Sequence, residues 1–284
     1  MEASPATVPE GSPRPPAKLA ICISTFNRAD FVGATLDSII PQLTADCELV
    51  VLDNASSDGT DRVVAERALR TDRLRYVRNE VNRGIDGNFD RAIEVANAEY
   101  CWPMPDDDLV NPGAVAAVLK VLSEEEPSLV LLNYEFRDFT LRQVWQRRVL
   151  DFDADRIYGP WETDRMFVEL GDFVRYIGAM VMSRDLWLAR RREHYWGSYY
   201  AFVAMIFQEP LPRNVYVVAT SCVSYRAGNE NTFAPKIMEI VLTKWPSLVP
   251  RCRSRRRRSA PCTAPSRGSI LTSCCSGAAA ASTR

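Results

Sequence analysis

Between Lys18 and Phe136 the chain alternates short, unbroken apolar runs with amphipathic segments of helical period. LAICIS (Leu19–Ser24), ELVVLD (Glu48–Asp53), LRYVRN (Leu74–Asn79), EYCWPM (Glu99–Met104) and SLVLLNYEF (Ser128–Phe136) are rich in β-branched and aromatic residues and read as strands. Between the first two, Phe31, Thr35, Leu36, Ile39 and Ile40 recur at helical spacing, with Asn27 placed to cap the helix and Pro41 to stop it. NASSDGT predicts a turn, with Ser57 or Asp58 capping a helix that runs to Leu69. Gly84–Ala98 predicts a helix with Ile85, Phe89, Ala92, Ile93 and Ala96 on one face, and Pro112 opens another that continues over Ala114–Leu122. Strand–helix alternation with continuous apolar strands predicts an α/β fold: a mostly parallel, Rossmann-like sheet flanked by helices.

Beyond Phe136 the alternation weakens. Residues 137–165 are charged and irregular, aromatics cluster at His194–Phe202, and NVYVVATSCVSYRA (Asn214–Ala227) reads as one or two late strands. A mixed sheet edge is expected in this C-terminal half. The chain then divides into a disordered leader (1–17), a regularly alternating half (18–136), a second, less regular half of the same domain (137–247) and a disordered tail (248–284).

Composition refines this picture at the ends. The 284 residues are 46% hydrophobic and 25% charged with net charge −1, ample for a sizeable core. No window of 18 apolar residues exists, so no membrane-spanning helix is expected. The N-terminus, rich in Pro, Ser and Ala, lacks the apolar stretch of a secretory signal. Residues 251–284 hold eight arginines and no acid, which leaves −9 on the remainder. That tail has two readings: a basic arm for anionic lipid or nucleic acid, or a non-native end of the kind a GC-rich gene gives when read out of frame. No function is assigned to it and no nucleic-acid partner is expected. Cys22, Cys47, Cys101 and Cys222 read as buried cytosolic thiols, and no cysteine pair, including those among Cys252, Cys262, Cys274 and Cys275, has zinc-site spacing.

In an open parallel sheet, ligands bind beyond the carboxyl ends of the strands. The polar oddities of this chain fall there: Ser24-Thr25-Phe26-Asn27 after the first strand, Asp53 closing the second, Asp106-Asp107-Asp108 after the fourth. Three adjacent carboxylates raise one another's pKa unless a cation compensates. Mg²⁺ or Mn²⁺ would, since these hard ions take carboxylate and phosphate oxygens and act as Lewis acids on a diphosphate leaving group. Helix capping, the competing reading, accounts for one aspartate of the three. Asp53 could accept a hydrogen bond from a base or ribose, or simply close a turn; Phe26 could stack on a base, or belong to the core. The chain lacks GxxxxGK[ST], a strand-linked GxGxxG and GxSxG, and its single histidine, His194, stands in no nucleophile context.

ICISTFNRADFVGATLDSI, ELVVLDNASSDGT and NRGIDGNFDRAIEVANAEYCWPMPDDDL together resemble family 2 of the glycosyltransferases, which have the GT-A fold. GIDGNFDRAIEVA, EYCW and DDDL are most similar to bacterial abequosyltransferase-like enzymes of polysaccharide and O-antigen synthesis. The resemblance implies metal-dependent, inverting transfer of a sugar, of hexosyl or dideoxyhexosyl type, from a nucleotide-diphosphate donor to a hydroxyl of a glycan or lipid-linked oligosaccharide. By motif position it implies that Ser24 and Phe26 line the nucleotide, Asp53 reads the base, Arg83 and Asn88 lie near the ribose and diphosphate, and Asp106, Asp107 and Asp108 hold Mg²⁺ or Mn²⁺ beside the donor. It implies a cytoplasmic protein, peripheral at the inner face of the cell membrane if the acceptor is lipid-linked.

Two departures stand out. Pro105 replaces the first acid of a DxDD pattern, and no Glu-Asp pair follows GAMVMSRDLW to supply a general base. Glu193, His194 and Glu209 are the candidates near that position. The missing pair also keeps open a non-catalytic, sugar-nucleotide-binding relative. A sugar-1-phosphate nucleotidyltransferase is discounted, because STFNR replaces its glycine-rich loop.

Overall fold

The computed structural model describes residues 15–229 and Leu242. The expectations for residues 1–14, and for the tail with its cysteines and arginines, lie outside the described residues. Five strands follow the apolar runs: β1 (Ala17–Thr25), β2 (Cys47–Asp53), β3 (Leu74–Arg78), β4 (Ala98–Pro105) and β6 (Leu129–Arg137). Between them lie α1 (Ala29–Ile39), α2 (Thr60–Ala68), α3 (Gly84–Val95), the two-residue β5 (Leu109–Val110) and α4 (Ala114–Glu124). Then come β7 (Val144–Gln146), β8 (Arg156–Tyr158), α5 (Thr163–Leu170), β9 (Met180–Ser183), α6 (Arg184–Leu188), α7 (Ala201–Phe207) and β10 (Val215–Arg226).

The strands form one sheet in the order β3-β2-β1-β4-β9-β6-β10-β5, with β7 on β6 and β8 on β10. β3, β2, β1 and β4 are parallel, as are β6 and β10, whereas β9 is antiparallel to both β4 and β6. The mixed half expected from the sequence is therefore present, but its order is not legible there. β9, from the segment IGAMVMS, wedges between β4 and β6 and joins the two parallel blocks. β10 is a single long strand whose register slips between Val218 and Val223, so the run read as one or two strands is one strand with a bulge.

Burial explains the pattern. Leu19 to Ile23 of β1 are fully buried, as a strand covered by helices on both faces requires. In α1 the buried set is Val32, Gly33, Thr35, Leu36 and Ile39; Thr35, Leu36 and Ile39 belong to the stripe read from the sequence, whereas Phe31 and Ile40 are half-buried. Trp102, at the middle of β4, is wholly buried and its indole N–H donates to the Gly178 carbonyl (2.8 Å). A Cβ on Gly178 would lie 2.5 Å from the Tyr176 hydroxyl, so only glycine allows this approach. Cys22, Cys47, Cys101 and Cys222 are free and buried.

The helix starts differ from expectation in an instructive way. Asn27 does not cap α1. It adopts a left-handed conformation (φ 52°), its N–H donates to Ser56 Oγ, and its side-chain oxygen accepts from the Ser57 N–H. The cap comes from the next loop: Asp58 accepts from the Ala29 N–H through one carboxylate oxygen and from the Thr60 N–H through the other. One carboxylate thus serves the first turns of both α1 and α2 and clasps the two βα loops together. Pro112 precedes α4 instead of opening it, because Gly113, at φ 83°, makes the turn into the helix.

Candidate functional site

The β1–β2 and β1–β4 registers pair Thr25 with Asp53 and Ser24 with Pro105, so three strands end at one rim. Above it opens a cleft of about 1060 Å³. The rim of β1 contributes Ser24, Thr25, Phe26 and Arg28; the start and first turns of α3 contribute Arg83 through Phe89; the end of β4 and the turn after it contribute Pro105 through Asp108. The rest of the wall is aromatic: Tyr134, Phe136, Tyr176 and Tyr225 from one group of elements, and Trp196, Tyr199, Tyr200 and Phe202 from the segment before and into α7. Tyr176 packs 4.6 Å from Tyr134 and 5.3 Å from Tyr225, centroid to centroid.

The residues at the β1 and α3 side of the cleft are held by a chain of amides. Asn88, from α3, donates to Ser24 Oγ (2.5 Å) and to the Leu52 carbonyl (3.1 Å), while Asn79 donates to the side-chain oxygens of both Asn88 and Asn54. Asn54 in turn accepts from the Arg83 N–H and donates to Asn82. Every strand of the parallel block except β4 is tied into this network, which fixes the loop before α3. Ser24, Phe26, Arg83 and Asn88 thus come together as the sequence implies. Phe26 is 43% exposed, which removes the core reading.

Asp53 does not face the cleft. It is completely buried, its carboxylate accepting from the Ser56 N–H, the Tyr76 hydroxyl and Arg78. A carboxylate held by three donors organises the turn after β2.

The three aspartates separate into a pair and a single. Asp108 accepts from the Arg226 N–H (2.7 Å) and the Tyr176 hydroxyl (2.6 Å), and its carbonyl accepts from the buried Thr35 hydroxyl (2.8 Å). It ties β4 to β10 and to the aromatic wall. Both of its carboxylate oxygens are thereby engaged by donors from this chain, and among the described residues no group of three or more His, Cys, Asp or Glu is arranged to hold an ion. Asp106 and Asp107 remain, facing the cleft around the Arg28 guanidinium at 3.8 Å each. Burial, with added repulsion from the Asp107 charge, pushes Asp106 up to about 7 and Asp108 up to about 8.

A pH dependence follows. Unfolded aspartates titrate near ~4, so between pH 4 and 8 the folded chain holds protons that the unfolded chain releases, and stability is lost as pH rises through the folded values. In EDTA, the melting temperature is expected to fall from pH 5 to pH 9. Asp108→Asn, which keeps an acceptor for the Arg226 N–H, should flatten that slope. A melting temperature that rises across this range would contradict the assignment.

Glu193, His194 and Glu209 do not line the cleft. Glu209 pairs with Arg190 (2.8 Å), and His194 stands beside Tyr195. The fourth carboxylate of the cleft, Asp86, accepts from the N–H groups of Gly197 (2.7 Å) and Tyr199 (3.1 Å) and so fixes the aromatic loop. Sequence reading missed Arg28, Asp86, Tyr176, Arg226 and Asn229. Arg28 and Asp86 lay inside quoted motifs; the other three reach the site from strands or turns distant in sequence, with no spacing to betray them.

The abequosyltransferase RfbV of Salmonella typhimurium is 34% identical to this chain over 179 residues, 60% of this chain and 54% of that protein. A Campylobacter jejuni protein, GalNAc(5)-diNAcBac-PP-undecaprenol beta-1,3-glucosyltransferase, is 32% identical over 108 residues, 38% and 35% of the two chains. The matched part therefore spans about half of the first relative and a third of the second. Among solved structures, Staphylococcus aureus TarS 1–349 in complex with UDP-GlcNAc superimposes with a TM-score of 0.60 at 15% identity, covering 76% of this chain and 60% of that one. The mannosyltransferase PcManGT of Pyrobaculum calidifontis, in complex with GDP-Man and Mn²⁺, gives 0.55 at 17% identity, covering 86% and 65%. These structures share the GT-A fold expected from the sequence. The family description "Glycosyl transferase family 2" matches residues 20–196, more than half of the chain, and with that span carrying the rim, the α3 loop and the aspartates, the chain belongs to glycosyl transferase family 2.

Proposed function

We propose that the chain transfers a sugar from a nucleotide-diphosphate donor to a hydroxyl of a glycan or lipid-linked acceptor in bacterial surface-polysaccharide synthesis. The observation that carries this reading is the meeting of the β1 rim, the first turns of α3 and the Asp106–Asp107 pair in one cleft. Ser24, Phe26, Arg83 and Asn88 line the nucleotide side, and the N-terminal turns of α3 line the same cleft, where the helix dipole favours anionic oxygens. Asp106 and Asp107 fit a hard divalent cation, Mg²⁺ or Mn²⁺: two carboxylates with only a loosely placed guanidinium between them, beside space for phosphate oxygens. Such an ion would supply charge neutralisation to the departing diphosphate.

The aromatic wall suits the acceptor, since flat faces pack against the C–H faces of sugar rings while ring hydroxyls meet sugar hydroxyls. The acceptor oxygen forms a bond to the anomeric carbon as the bond from that carbon to the diphosphate oxygen breaks; the electron pair leaves with the diphosphate and the hydroxyl's proton passes to solvent water. The relatives support this class: one is an abequosyltransferase and another a GalNAc(5)-diNAcBac-PP-undecaprenol glucosyltransferase. No described helix is long and apolar enough to cross a membrane. A cytosolic donor and a lipid-linked acceptor would place the protein peripherally at the inner membrane face, and fractionation entirely into the soluble phase would count against that placement.

Thermal-shift screening against UDP-, GDP-, CDP- and dTDP-sugars, with and without Mn²⁺, tests the reading. A ligand that binds only the folded state at about 100 times its Kd adds about 2.7 kcal/mol. A Mn²⁺-dependent shift with one nucleotide class is expected. No shift with any of them would overturn the proposal.

A further inference from the structure

A cation already stands at the aspartate pair. Arg28 Nε lies 3.8 Å from Asp106 Oδ1, and its Nη2 lies 3.8 Å from Asp107 Oδ2. Its Nη1 donates to Asn229 Oδ1 (3.2 Å), and Asn229 Nδ2 donates to Asp107 Oδ2 (2.6 Å), so Asn229 bridges the guanidinium and the carboxylate. The position is built, not incidental. The left-handed Asn27 turns the chain, the Arg28 N–H donates to Thr60 Oγ1 (3.1 Å), and the Ala29 N–H donates to Asp58 (2.9 Å). The guanidinium lies over Phe31 at 5.3 Å, with 17% of the side chain exposed.

The contact is electrostatic without being locked. Charge-assisted hydrogen bonds run at about 2.7–2.9 Å, and 3.8 Å is well outside that range. Arg226 shows the contrast: its Nε donates to the Asp107 carbonyl and its Nη1 to the Phe139 carbonyl, both at 2.7 Å, so backbone acceptors hold it in place. Arg28 makes no such bond to either carboxylate, and its planar fork matches phosphate oxygens as well as carboxylates. A divalent ion between Asp106 and Asp107 would sit against this guanidinium, and two cations cannot share so small a buried volume without strong repulsion.

We propose that Arg28 is the resident counter-cation of the Asp106–Asp107 pair, competing with the divalent ion for it and moving to the donor's diphosphate when metal and nucleotide bind. The inference rests on the donor-site reading above and adds to it a specific exchange: the carboxylates trade a guanidinium for a metal, and the guanidinium trades carboxylates for phosphate. Metal alone must displace Arg28 and binds weakly. Nucleotide gives Arg28 another partner, so metal and nucleotide assist each other.

The test is Mn²⁺ binding to the full chain, followed by the paramagnetic resonance signal of free Mn²⁺ without nucleotide, in wild type, Arg28→Gln and Asn229→Ala. Arg28→Gln is expected to bind Mn²⁺ about ten-fold more tightly than wild type, a coupling of ordinary size. Asn229→Ala, which removes the bridge to both groups but leaves the guanidinium charge in place, should gain less. In EDTA, Arg28→Gln should bind UDP, GDP, CDP or dTDP, whichever the wild type prefers, about ten-fold more weakly. Melting curves confirm that each variant is folded. Mn²⁺ affinity in folded Arg28→Gln equal to or below wild type, where wild type binds Mn²⁺ with nucleotide, overturns the exchange and leaves the donor site standing. No Mn²⁺ binding by any of the three proteins, with or without nucleotide, overturns both.

Discussion

Asp107→Asn is expected to lower donor turnover by at least about 10²–10³-fold in saturating Mn²⁺, the size of effect that follows loss of one group stabilising charge in a transition state. Its melting temperature near pH 8 should hold or rise. The two halves of this expectation come from one electrostatic fact. Asp107 stands between two carboxyls that burial and its own charge push up to about 7 and about 8. Removing that charge relieves the neighbours, while an asparagine oxygen still accepts from Asn229 Nδ2, which now donates to Asp107 at 2.6 Å. A metal, however, loses one of the two carboxylates available to it. Nucleoside diphosphate released with water as acceptor measures the first half, and a melting curve the second. Wild-type turnover by the variant would remove the aspartate pair from the mechanism.

Trp102→Ala should cost about 4 kcal/mol of stability, the upper range for emptying a large buried aromatic site. Trp102→Phe should cost about 1 kcal/mol, chiefly the hydrogen bond lost at the Gly178 carbonyl. The indole is wholly buried at the centre of β4 and reaches the segment that carries Tyr176, whose hydroxyl donates to Asp108. The cavity therefore lies directly beneath the aspartate rim. Urea titration of both variants checks the ratio; equal costs would mean that the hydrogen bond, not the packing, dominates at this position.

The parallel half of the fold was readable because each of its strands is an apolar run covered on both faces, and each helix carries a clear stripe. The mixed half was not. β9 is four residues long and pairs with strands far from it in sequence, and neither its direction nor its wedge between β4 and β6 leaves a trace in the local pattern. The same limit governs the site. Ser24, Phe26, Arg83, Asn88, Asp106 and Asp107 stand at strand ends or helix starts, where periodicity points. Asp53 and Asp108 are acids in equally suggestive positions, yet partners distant in sequence decide their roles: Tyr76 and Arg78 for the first, Tyr176 and Arg226 for the second. Asn27 looked like a local cap and instead clasps two loops, because Asp58 supplies the cap from the neighbouring turn. Local composition announces that a polar group is present at the rim; which neighbour it meets is settled by topology.

The most direct measurement is anomalous scattering from crystals grown with Mn²⁺ and the nucleoside diphosphate that gives the largest thermal shift. One manganese peak is expected, within coordination distance of the carboxylates of Asp106 and Asp107 and of the nucleotide's phosphate oxygens, with Asp108 still bound to Tyr176 and Arg226. Nucleotide seated in the cleft with no manganese at that pair, or with manganese bound elsewhere, would contradict the account.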